Sequence, residues 1–516
     1  MAVALQTLIS EIPGVALTGD PSLAISSVTA DSREAGPGVL FVAVRGTGGD
    51  GHRFVAQAVA AGSPAVVVES SFTDEISAEV AVIRCEQSRS LPALLARALH
   101  GAPDRQLWTV AITGTNGKTT TAFLVQEMLR LLHGPCGLLG TIRYDDGQTI
   151  QDAPLTTPGG PVFYEKLGQM VASGCRSVAM ELSSHALDQQ RTAGLGLDVA
   201  VMTNLGRDHL DYHADMDEYL AAKAKIMDLL RAGRDGVGTG LPGALAVNVG
   251  DRYLAGLMTG NKRVIRYCTA PEAGPQADLV VTEAELALTG TRLQVSWQGQ
   301  SWEIKSPLVG RFNVENLTAA LATGLGLGLD PAACAEALAG VDQVPGRLER
   351  IALPTGGIAV VDYAHTHDAL AAVLTACEEL TDQRLLLVFG CGGDRDRGKR
   401  PLMAQVAAEG SDLVWITSDN PRSEDPQAIC NDIVAGYDAV AAPRATGREV
   451  VLDRTVAIEA ALAAATAGDI VIVAGKGHED YQLVGDQVLD LDDRRIVRHW
   501  IARQEARPGA PETDRQ

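Results

Sequence analysis

The sequence predicts an α/β protein of three domains, each with a mostly parallel β-sheet covered by helices. Short apolar runs that are typical of buried strands alternate with helical stretches along most of the chain. Many of these runs end in a polar loop that contains glycine, as in RLLLVFGCGGD and DIVIVAGKGH. This alternation is typical of parallel sheets with helical connections. The length of 516 residues also exceeds what one hydrophobic core serves, because domains commonly hold about 100–200 residues.

Breaks in this pattern divide the chain into three predicted domains and a tail. The N-terminal α/β domain, residues 1–105, mixes short apolar runs with helical stretches. The central domain, 106–342, opens with an apolar strand, a glycine-rich turn and a helix in WTVAITGTNGKTTTAFLVQEMLRLL, which predicts a mostly parallel sheet of the P-loop type. A period-2 stretch at about 277–305 predicts an antiparallel insertion. The C-terminal domain, 343–503, repeats the strand–helix–strand pattern and is Rossmann-like. Residues 504–516 are polar and contain proline, which predicts a flexible tail.

The charge balance of the chain excludes some classes of partner. Lys and Arg total 43 against 64 Asp and Glu, a formal net charge of −21. A general nucleic-acid or membrane-surface binder needs a broad basic face, so we expect neither. No apolar run reaches the roughly 18 residues that a membrane span requires. We therefore expect small-molecule partners, with phosphate groups held by glycine-rich loops and helix N-termini.

Cysteine usage and the N-terminal segment predict a cytoplasmic enzyme. The eight cysteines are scattered and form no CxxC pair, which favours buried, reduced side chains over disulfides or a zinc site. The first residues lack a basic region and include Glu11, so they do not resemble a signal peptide.

A glycine-rich loop between an apolar strand and a helix, GTNGKTT at 114–120, predicts a phosphate site. Backbone N–H groups in such a turn converge on phosphate oxygens, and the helix N-terminus favours negative charge. Lys118 can reach the β- and γ-phosphates, and the Thr119 hydroxyl can bind Mg²⁺. The loop is a shortened variant, because Ile112 stands where the usual motif has its first glycine. A glycine turn with a surface lysine is the alternative interpretation.

Two further apolar strands end in polar clusters that suit a metal ion. MELSSHALDQQR places Glu181 at the end of one strand, and TNLGRDHLDYH places Asp208, His209, Asp211 and His213 after the other. A carboxylate and an imidazole at neighbouring strand ends suit Mg²⁺ close to the phosphate loop. Hydrogen-bonded loop histidines are the alternative for His209 and His213.

These motifs, taken in order, resemble the Mur ligase family of bacterial peptidoglycan synthesis. The resemblance rests on GTNGKTTT, MELSSHALDQQR, TNLGRDHLDYH and AAK, and continues through GRFNVENLTAALA, PGRLE, VDYAHT, GCGGDRDRGKRPLM, DNPR and AGKGHEDYQ. It implies an ATP-dependent amide ligase that adds meso-2,6-diaminopimelate to the D-Glu γ-carboxylate of UDP-N-acetylmuramoyl-L-Ala-D-Glu through an acyl phosphate. The implied partners are these two substrates and ATP, and we expect a monomer.

The resemblance also implies how metal and ATP are held. In the family a lysine at the position of Lys223 is carbamylated by CO₂, which turns a neutral amine into an anion that can face Mg²⁺. Lys225 lies about 200° further round the same predicted helix and serves as the control for the role of Lys223. Two Mg²⁺ are implied, bound by Thr119, Glu181, His209 and carbamylated Lys223, and the implied catalytic set is Lys118, Glu181, His209 and Lys223. The implied ATP-binding residues are Gly114, Thr115, Asn116, Gly117, Lys118, Thr119, Thr120, Asn316, Arg347 and Asp362, and His365 also matches the family. Because they come from the second and third domains, ATP is expected to bridge the two.

Two substrate sites follow from the same resemblance. The implied UDP-substrate residues are Ala30, Ser32, Thr47, Gly48, Gly49, Thr156, Thr157, Ser183, Gln189 and Arg191. Diaminopimelate differs from lysine by a carboxylate on the far carbon, which the Arg422 guanidinium can bind bidentately. The implied diaminopimelate residues are Arg395, Asp419, Asn420, Pro421, Arg422, Gly475 and Glu479. Glu479 would face an amino group, and Gly475 would let the backbone approach the substrate.

One position departs from the family pattern, and several alternatives stay open. After VDYAHT the family usually has proline, whereas this chain has His367, which loosens one φ angle near the expected ATP site. We assign His367 no catalytic role. The alternatives within ligases are the lysine-adding enzyme of the same step, the next stem-peptide ligase and folylpolyglutamate synthase, which DNPR and GHEDYQ disfavour. A P-loop ATPase or nucleotide-dependent binding module is the alternative from another class, and it leaves the AAK lysine unexplained.

Overall fold

The computed structural model describes residues 2–46, 49–210, 212–233, 241–257, 259–260, 262–270 and 277–506. The predicted α/β architecture is confirmed. One large sheet lies in each of the three predicted segments, and its parallel strands are linked by helices. Across the described part of the chain, no helix combines the length and apolar character needed to cross a membrane.

The N-terminal segment forms a five-stranded sheet between helices. Its elements are β1 (Val3–Ala4), α1 (Leu5–Ile9), β2 (Val15–Thr18), β3 (Ala24–Ile25), β4 (Ser27–Thr29), β5 (Val39–Val42), α2 (Val55–Ala60), β6 (Ala65–Glu69), β7 (Ala81–Cys85) and α3 (Leu91–Leu99). The strand order is β2-β7-β6-β5-β4, with only β2 antiparallel to its neighbour. Leu40 and Val42 pack in the cluster that includes α1 and α3, whereas Phe41 packs in the cluster that includes α2, as the two-residue period of a strand requires.

The central segment carries an eleven-stranded sheet. Its elements are β8 (Trp108–Thr113), α4 (Lys118–Leu132), β9 (Cys136–Leu139), β10 (Arg143–Asp145), β11 (Ile150–Asp152), α5 (Gly160–Ala172), β12 (Ser177–Glu181), α6 (Ser184–Asp188), β13 (Val199–Met202), α7 (Met216–Ala224), β14 (Ala244–Asn248), β15 (Arg263–Cys268), β16 (Leu279–Ala287), β17 (Gly290–Trp297), β18 (Gln300–Ser306), α8 (Arg311–Leu327) and α9 (Pro331–Ala339). The strand order is β11-β10-β9-β12-β8-β13-β14-β15-β16-β17-β18.

The order of the parallel strands in this sheet positions the predicted phosphate and metal residues. Strands β9, β12, β8 and β13 are adjacent and parallel, so their carboxyl ends lie along one edge of the sheet. Loops at such an edge form the usual ligand site of open α/β sheets. The period-2 stretch predicted at 277–305 is confirmed as β16, β17 and β18, which are joined by two-residue turns and are therefore antiparallel hairpins.

The C-terminal segment forms a six-stranded sheet with helices on both faces. Its elements are β19 (Glu349–Ala352), β20 (Ile358–Asp362), α10 (His367–Glu378), β21 (Leu385–Phe389), α11 (Lys399–Gly410), β22 (Leu413–Ile416), α12 (Pro426–Asp438), β23 (Gly447–Val450), α13 (Arg454–Ala464), β24 (Ile470–Ala474), β25 (Tyr481–Val484), β26 (Gln487–Asp490) and α14 (Asp493–Glu505). The order is β19-β20-β24-β21-β22-β23, and only β19 is antiparallel. Leu387 packs in the cluster that includes α10, α11 and α12, and Val388 in the cluster that includes α13 and α14.

The chain divides into two compact units. The first comprises Met1–Thr282, Gln294–Glu303 and Glu315–Leu338, and the second comprises Glu283–Leu293, Ile304–Val314 and Ala339–Gln516. The domain boundaries inferred from the sequence remain a prediction. Of the tail expected at 504–516, residues 504 and 505 complete α14, and 507–516 lie outside the described residues.

Candidate active site

The predicted phosphate loop joins the end of β8 to the start of α4. Two of its positions are packed so closely that they leave no room for a side chain. Gly114 and Gly117 both have positive φ, +151° and +83°. A Cβ on Gly114 would lie 1.9 Å from Thr203 Oγ1, and one on Gly117 would lie 2.3 Å from Asn316 Oδ1. Glycine is therefore required at both positions for conformation and for space. The contact also brings Asn316, a predicted ATP residue, to the phosphate loop.

Lys118 begins α4 and lies over this loop. Its Nζ donates 2.9 Å hydrogen bonds to the carbonyl oxygens of Gly114 and Thr115. The loop is further held by Asn204, whose side-chain oxygen accepts a 2.8 Å bond from the Asn116 N–H. The strand–loop–helix arrangement of a phosphate site is thus present, with a lysine at its centre.

Glu181, at the end of β12, lies beside the start of α4. The Thr119 hydroxyl donates a 2.9 Å hydrogen bond to Glu181 Oε2, so the structure brings together these two predicted metal ligands. Thr141 also binds the carboxylate, through its backbone N–H at 2.8 Å and its hydroxyl at 3.1 Å. A hydroxyl and a buried carboxylate beside a phosphate loop are hard oxygen donors, which is the donor set that Mg²⁺ prefers. Sequence analysis missed Thr141.

Lys223, on α7, is buried beside the same loop. It is 1% exposed, and its Nζ donates a 2.8 Å hydrogen bond to the Gly114 carbonyl oxygen. Burial, together with the positive charge of Lys118, lowers the pKa of Lys223 well below the usual lysine value. A lowered pKa increases the fraction of neutral amine, which is the form that reacts with CO₂. Lys225 differs: α7 ends at Ala224, and the half-exposed Lys225 pairs with Asp188 at 2.7 Å.

Tyr219 links the phosphate loop, Lys223 and His209, and sequence analysis missed it. The Lys223 Nζ lies 4.5 Å from the centre of the Tyr219 ring, and the Tyr219 hydroxyl lies 3.2 Å from Thr115 Oγ1. The His209 and Tyr219 ring centres are 6.1 Å apart. The available signal was spacing, because Tyr219 precedes Lys223 by four residues and so lies on the same face of the helix.

The two histidines of the second polar cluster have different environments. His209 has a positive φ of +54°, and its side chain is 42% exposed. His213 is buried, and its Nε2 lies 3.0 Å from Ser184 Oγ. Burial lowers the pKa of His213, which matches the alternative of a hydrogen-bonded loop histidine. Asp211 lies outside the described residues.

A cavity of about 340 Å³ lies where the UDP-substrate site is expected. It is lined by Ala30, Val44, Gly46, Arg89, Pro92, Ala93, Gly159, Gly160, Pro161, Gln189, Gln190 and Arg191. Three predicted residues, Ala30, Gln189 and Arg191, are therefore brought together. Ser32 instead lies 3.3 Å from Gln57 through their side chains, and it and Gly49 are absent from the lining. Thr47 and Gly48 lie outside the described residues.

Hydrogen bonds connect this cavity to Glu181. The Arg191 guanidinium donates to Gln189 Oε1 at 2.8 Å and to the Thr157 carbonyl oxygen at 2.9 Å. The Thr157 hydroxyl donates to the Glu181 carbonyl oxygen at 2.8 Å and accepts from the Ser183 N–H at 3.1 Å. Thr156 lies 3.0 Å from Thr141 through their hydroxyls. These hydrogen bonds connect the residues predicted to line the muramoyl-dipeptide path with Glu181, a predicted metal ligand.

In the second unit, the predicted diaminopimelate residues follow the carboxyl ends of β21, β22 and β24, which are neighbours in the sheet. Arg422 has a φ of +52°, and its Nη1 donates a 2.8 Å hydrogen bond to the Gly393 carbonyl oxygen. Its backbone N–H donates to the Leu483 carbonyl oxygen at 3.0 Å. These bonds hold Arg422 between the loop after β21 and strand β25. Arg395, on the loop after β21, is exposed.

The side chains of Asn420 and Glu479 are also brought together. Asn420 Nδ2 donates a 3.0 Å hydrogen bond to Glu479 Oε2. Gly475 has a φ of +118°, and a Cβ there would lie 3.2 Å from Asp419 Oδ2, so glycine suits this backbone conformation and its closeness to Asp419. The expected approach of this backbone to the substrate stays a prediction.

The remaining predicted ATP residues also lie in the second unit. Asp362 accepts 2.8 Å hydrogen bonds from the Leu348 and Ala364 N–H groups, and burial raises its pKa. The Arg347 guanidinium lies 4.7 Å from the centre of the Tyr363 ring. His365 Nδ1 lies 2.9 Å from the Tyr363 carbonyl oxygen. Asn316 belongs to the first unit, so an ATP molecule that bridges the two remains a prediction.

His367 occupies a regular position in the fold. It is the first residue of α10, which Thr366 caps by accepting the Ala369 N–H at 3.3 Å. The first helical position is one where proline is common, because its missing N–H has no helical partner there. Both the family's proline and His367 can therefore occupy the first position of this helix.

Comparison with known proteins gives the family. Three family descriptions match: Mur ligase family, catalytic domain, at 24–101; Mur ligase middle domain, at 112–324; and Mur ligase, glutamate ligase domain, at 346–477. A UDP-N-acetylmuramoyl-L-alanyl-D-glutamate–2,6-diaminopimelate ligase from Solibacter usitatus is 42% identical over 485 residues, 93% of this chain and 95% of the relative. A relative of the same name from Geobacter sulfurreducens is 41% identical over 504 residues, 95% of this chain and 97% of the relative.

A solved structure extends the similarity to three dimensions. It is a UDP-N-acetylmuramoyl-L-alanyl-D-glutamate–2,6-diaminopimelate ligase that matches with a TM-score of 0.68 and 32% identity. The match covers 98% of this chain and all of that one, 100%. On the sequence matches and this structural match, the chain belongs to the Mur ligase family.

Proposed function

We propose that this chain is an ATP-dependent amide ligase that joins meso-2,6-diaminopimelate to the D-Glu γ-carboxylate of UDP-N-acetylmuramoyl-L-Ala-D-Glu. The observation that carries the proposal is the convergence of Lys118, Thr119, Glu181 and Lys223 on one phosphate loop, in a chain whose full-length relatives are named for this reaction. Arg422, held by the loop after β21 and by strand β25, supplies a group suited to the far carboxylate of diaminopimelate.

The reaction requires activation of a carboxylate. A carboxylate and an amine do not condense in water unless an oxygen of the carboxylate is first made a leaving group. The carboxylate oxygen attacks the γ-phosphorus of ATP, ADP leaves, and an acyl phosphate forms. The amine then attacks the acyl carbon, phosphate departs with that oxygen, and the amine loses a proton. The products are the amide, ADP and phosphate.

The residues of the phosphate loop bind and orient ATP in this scheme. The loop N–H groups and the N-terminus of α4 hold the phosphates, and the Lys118 ammonium offsets charge on the γ-phosphoryl group. Mg²⁺, when bound, neutralises phosphate charge and withdraws electrons from the γ-phosphorus. Thr119 and Glu181 would hold it, with His209 supplying an imidazole. Thr141 orients the Glu181 carboxylate through two hydrogen bonds.

We assign Lys223 the role of a carbamylated ligand. A protonated lysine would repel both Lys118 and a metal ion, whereas a carbamate carries negative charge and two oxygen donors. The lowered pKa of Lys223, caused by burial and then by Lys118, supports the neutral amine that carbamylation needs. Two Mg²⁺ would then be shared among Thr119, Glu181, His209 and Lys223.

Each of the two units binds a different substrate. The UDP end of one substrate occupies the cavity that contains Ala30 and Arg191, and its dipeptide runs towards Glu181. Diaminopimelate binds in the second unit, with its far carboxylate on Arg422 and its far ammonium on Glu479. We further propose that the enzyme acts in the cytoplasm, which is supported by eight buried, free cysteines. We also propose that it acts as a monomer.

ADP release, measured with each substrate withheld in turn, tests the proposal. A ligase releases ADP steadily only when ATP, the UDP-linked dipeptide and diaminopimelate are all present. Steady release without an amine acceptor would favour the ATPase alternative. Equal turnover with lysine would favour the lysine-adding enzyme.

A further inference from the structure

A buried lysine lies beneath the predicted amino-acid site. Lys476 follows β24, and its side chain is 0% exposed. Its Nζ donates hydrogen bonds to Asn420 Oδ1 at 3.0 Å and Glu479 Oε2 at 3.3 Å, and it forms an ion pair with Asp419 Oδ1 at 3.4 Å. Two hydrogen bonds and one ion pair therefore hold the buried ammonium. All three partners belong to the loops after β22 and β24, two of the three loops that carry the predicted diaminopimelate residues.

We propose that Lys476 is a positioning residue for amino-acid selection. It does not touch the substrate but fixes the Glu479 carboxylate so that one oxygen receives the far ammonium of diaminopimelate. This inference rests on the proposed function, because it concerns the same substrate.

The hydrogen bonds of Glu479 support the assignment. Its Oε2 is bound by Lys476 and by Asn420 Nδ2, and its backbone N–H donates to the Lys476 carbonyl oxygen at 2.9 Å. Within the described residues no hydrogen bond reaches Oε1. The carboxylate is therefore held by one oxygen, which leaves the other for a ligand.

The charges support it as well. Asp419 and Glu479 are two carboxylates in a largely buried region, where like charges repel strongly. Lys476 offsets one of them, and Arg422 adds a second positive charge nearby. The four groups sum to zero, and Glu479 and Arg422 complement the ammonium and carboxylate at the far end of diaminopimelate. Arg454, another buried cation that interacts with both carboxylates, is paired with Asp493. Without Lys476 the two carboxylates would therefore lose the ammonium that contacts them directly, and Glu479 would lose its orientation.

The test compares diaminopimelate with 2-aminopimelate, which keeps the far carboxylate but lacks the far ammonium. In Lys476→Met we expect KM for diaminopimelate to rise at least about tenfold, because a charged hydrogen-bond partner is no longer held. KM for 2-aminopimelate should change less than about threefold, and KM for ATP should not change. Lys305→Met, an exposed lysine in the same unit, is the matched control and should resemble the wild type.

Equal losses for both amino acids, or an unchanged KM for diaminopimelate, would overturn the inference. If Lys476→Met does not fold, as judged by circular dichroism, the two KM values are compared in Lys476→Gln instead. Its amide can still form hydrogen bonds but carries no charge. Failure of the proposed function is distinguished by the wild type: an unmodified enzyme that does not ligate diaminopimelate refutes the function, whereas normal ligation with an unaffected Lys476 variant refutes only this inference.

Discussion

Lys118 and Lys223 donate to the same acceptor, the carbonyl oxygen of Gly114, at 2.9 and 2.8 Å. Two lysines that share one oxygen cannot both carry a proton at low cost, and Lys223 is the buried one. The relationship explains why the pKa of Lys223 is lowered, and it places a potential neutral amine beside the phosphate loop.

Replacement of Lys223 by alanine should reduce ligation at least about a hundredfold, because the proposed carbamate and its oxygens are lost. Added short carboxylates should restore part of the activity by occupying the vacated space. Steady-state kinetics measure both effects, and Lys225→Ala is the matched control, since Lys225 lies outside this cluster. With ¹³C-labelled bicarbonate, a carbamate resonance should appear in the wild type and be absent from Lys223→Ala. Full activity in Lys223→Ala would rule out the role.

The lowered pKa of Lys223 predicts a pH-dependent stability. In the unfolded chain lysine titrates near pH 10.4, so between the folded pKa and that pH the unfolded state binds more protons and stability rises with pH. Lys223→Met removes this dependence and should be more stable than the wild type at pH 7, with the difference shrinking as pH approaches 10. Urea denaturation midpoints in CO₂-free buffer measure it. Identical pH slopes in the two proteins would contradict the burial argument.

Arg422→Ala should raise KM for diaminopimelate about tenfold to a hundredfold, because a bidentate charged contact is removed. Ligation of lysine, which lacks the far carboxylate, should change little. The ratio of kcat/KM for the two amino acids measures the effect. Arg448→Ala, in which the arginine pairs with Asp438 at the surface, is the control. An equal loss for both amino acids would mean that Arg422 does not select the substrate.

Gly117→Ala tests the packing of the phosphate loop. Both Gly117 and Gly174 have left-handed φ values, +83° and +85°, but only Gly117 lies against another side chain, Asn316. Each alanine should cost about 1–2 kcal/mol for the backbone conformation. Gly117→Ala should in addition raise KM for ATP, whereas Gly174→Ala should leave it unchanged. A normal KM for ATP in Gly117→Ala would contradict this, because it would show that the loop can move away from Asn316 and still bind ATP.

Local patterns in the sequence were sufficient for much of the fold and part of the site. Apolar runs marked the strands, and because parallel strands end at one edge, Thr119 and Glu181 were expected to meet and do. The Asp419–Arg422 stretch also follows a buried strand, but its predicted role came from the family resemblance.

Residues that act through tertiary neighbours were missed. Thr141 reaches Glu181 because β9 lies next to β12, and the sequence does not state that strand order. Lys476 lies in a polar loop, which normally indicates an exposed lysine. Its burial depends on acceptors from a loop more than fifty residues earlier, such as Asn420 at a separation of 56.

The central claim is that ATP activates the D-Glu γ-carboxylate at the phosphate loop before the amine attacks. The most direct measurement uses UDP-N-acetylmuramoyl-L-Ala-D-Glu labelled with ¹⁸O in that carboxylate, followed by mass spectrometry of the phosphate released. The account predicts one labelled oxygen in each phosphate formed during ligation. Phosphate without label, released while amide accumulates, would contradict it.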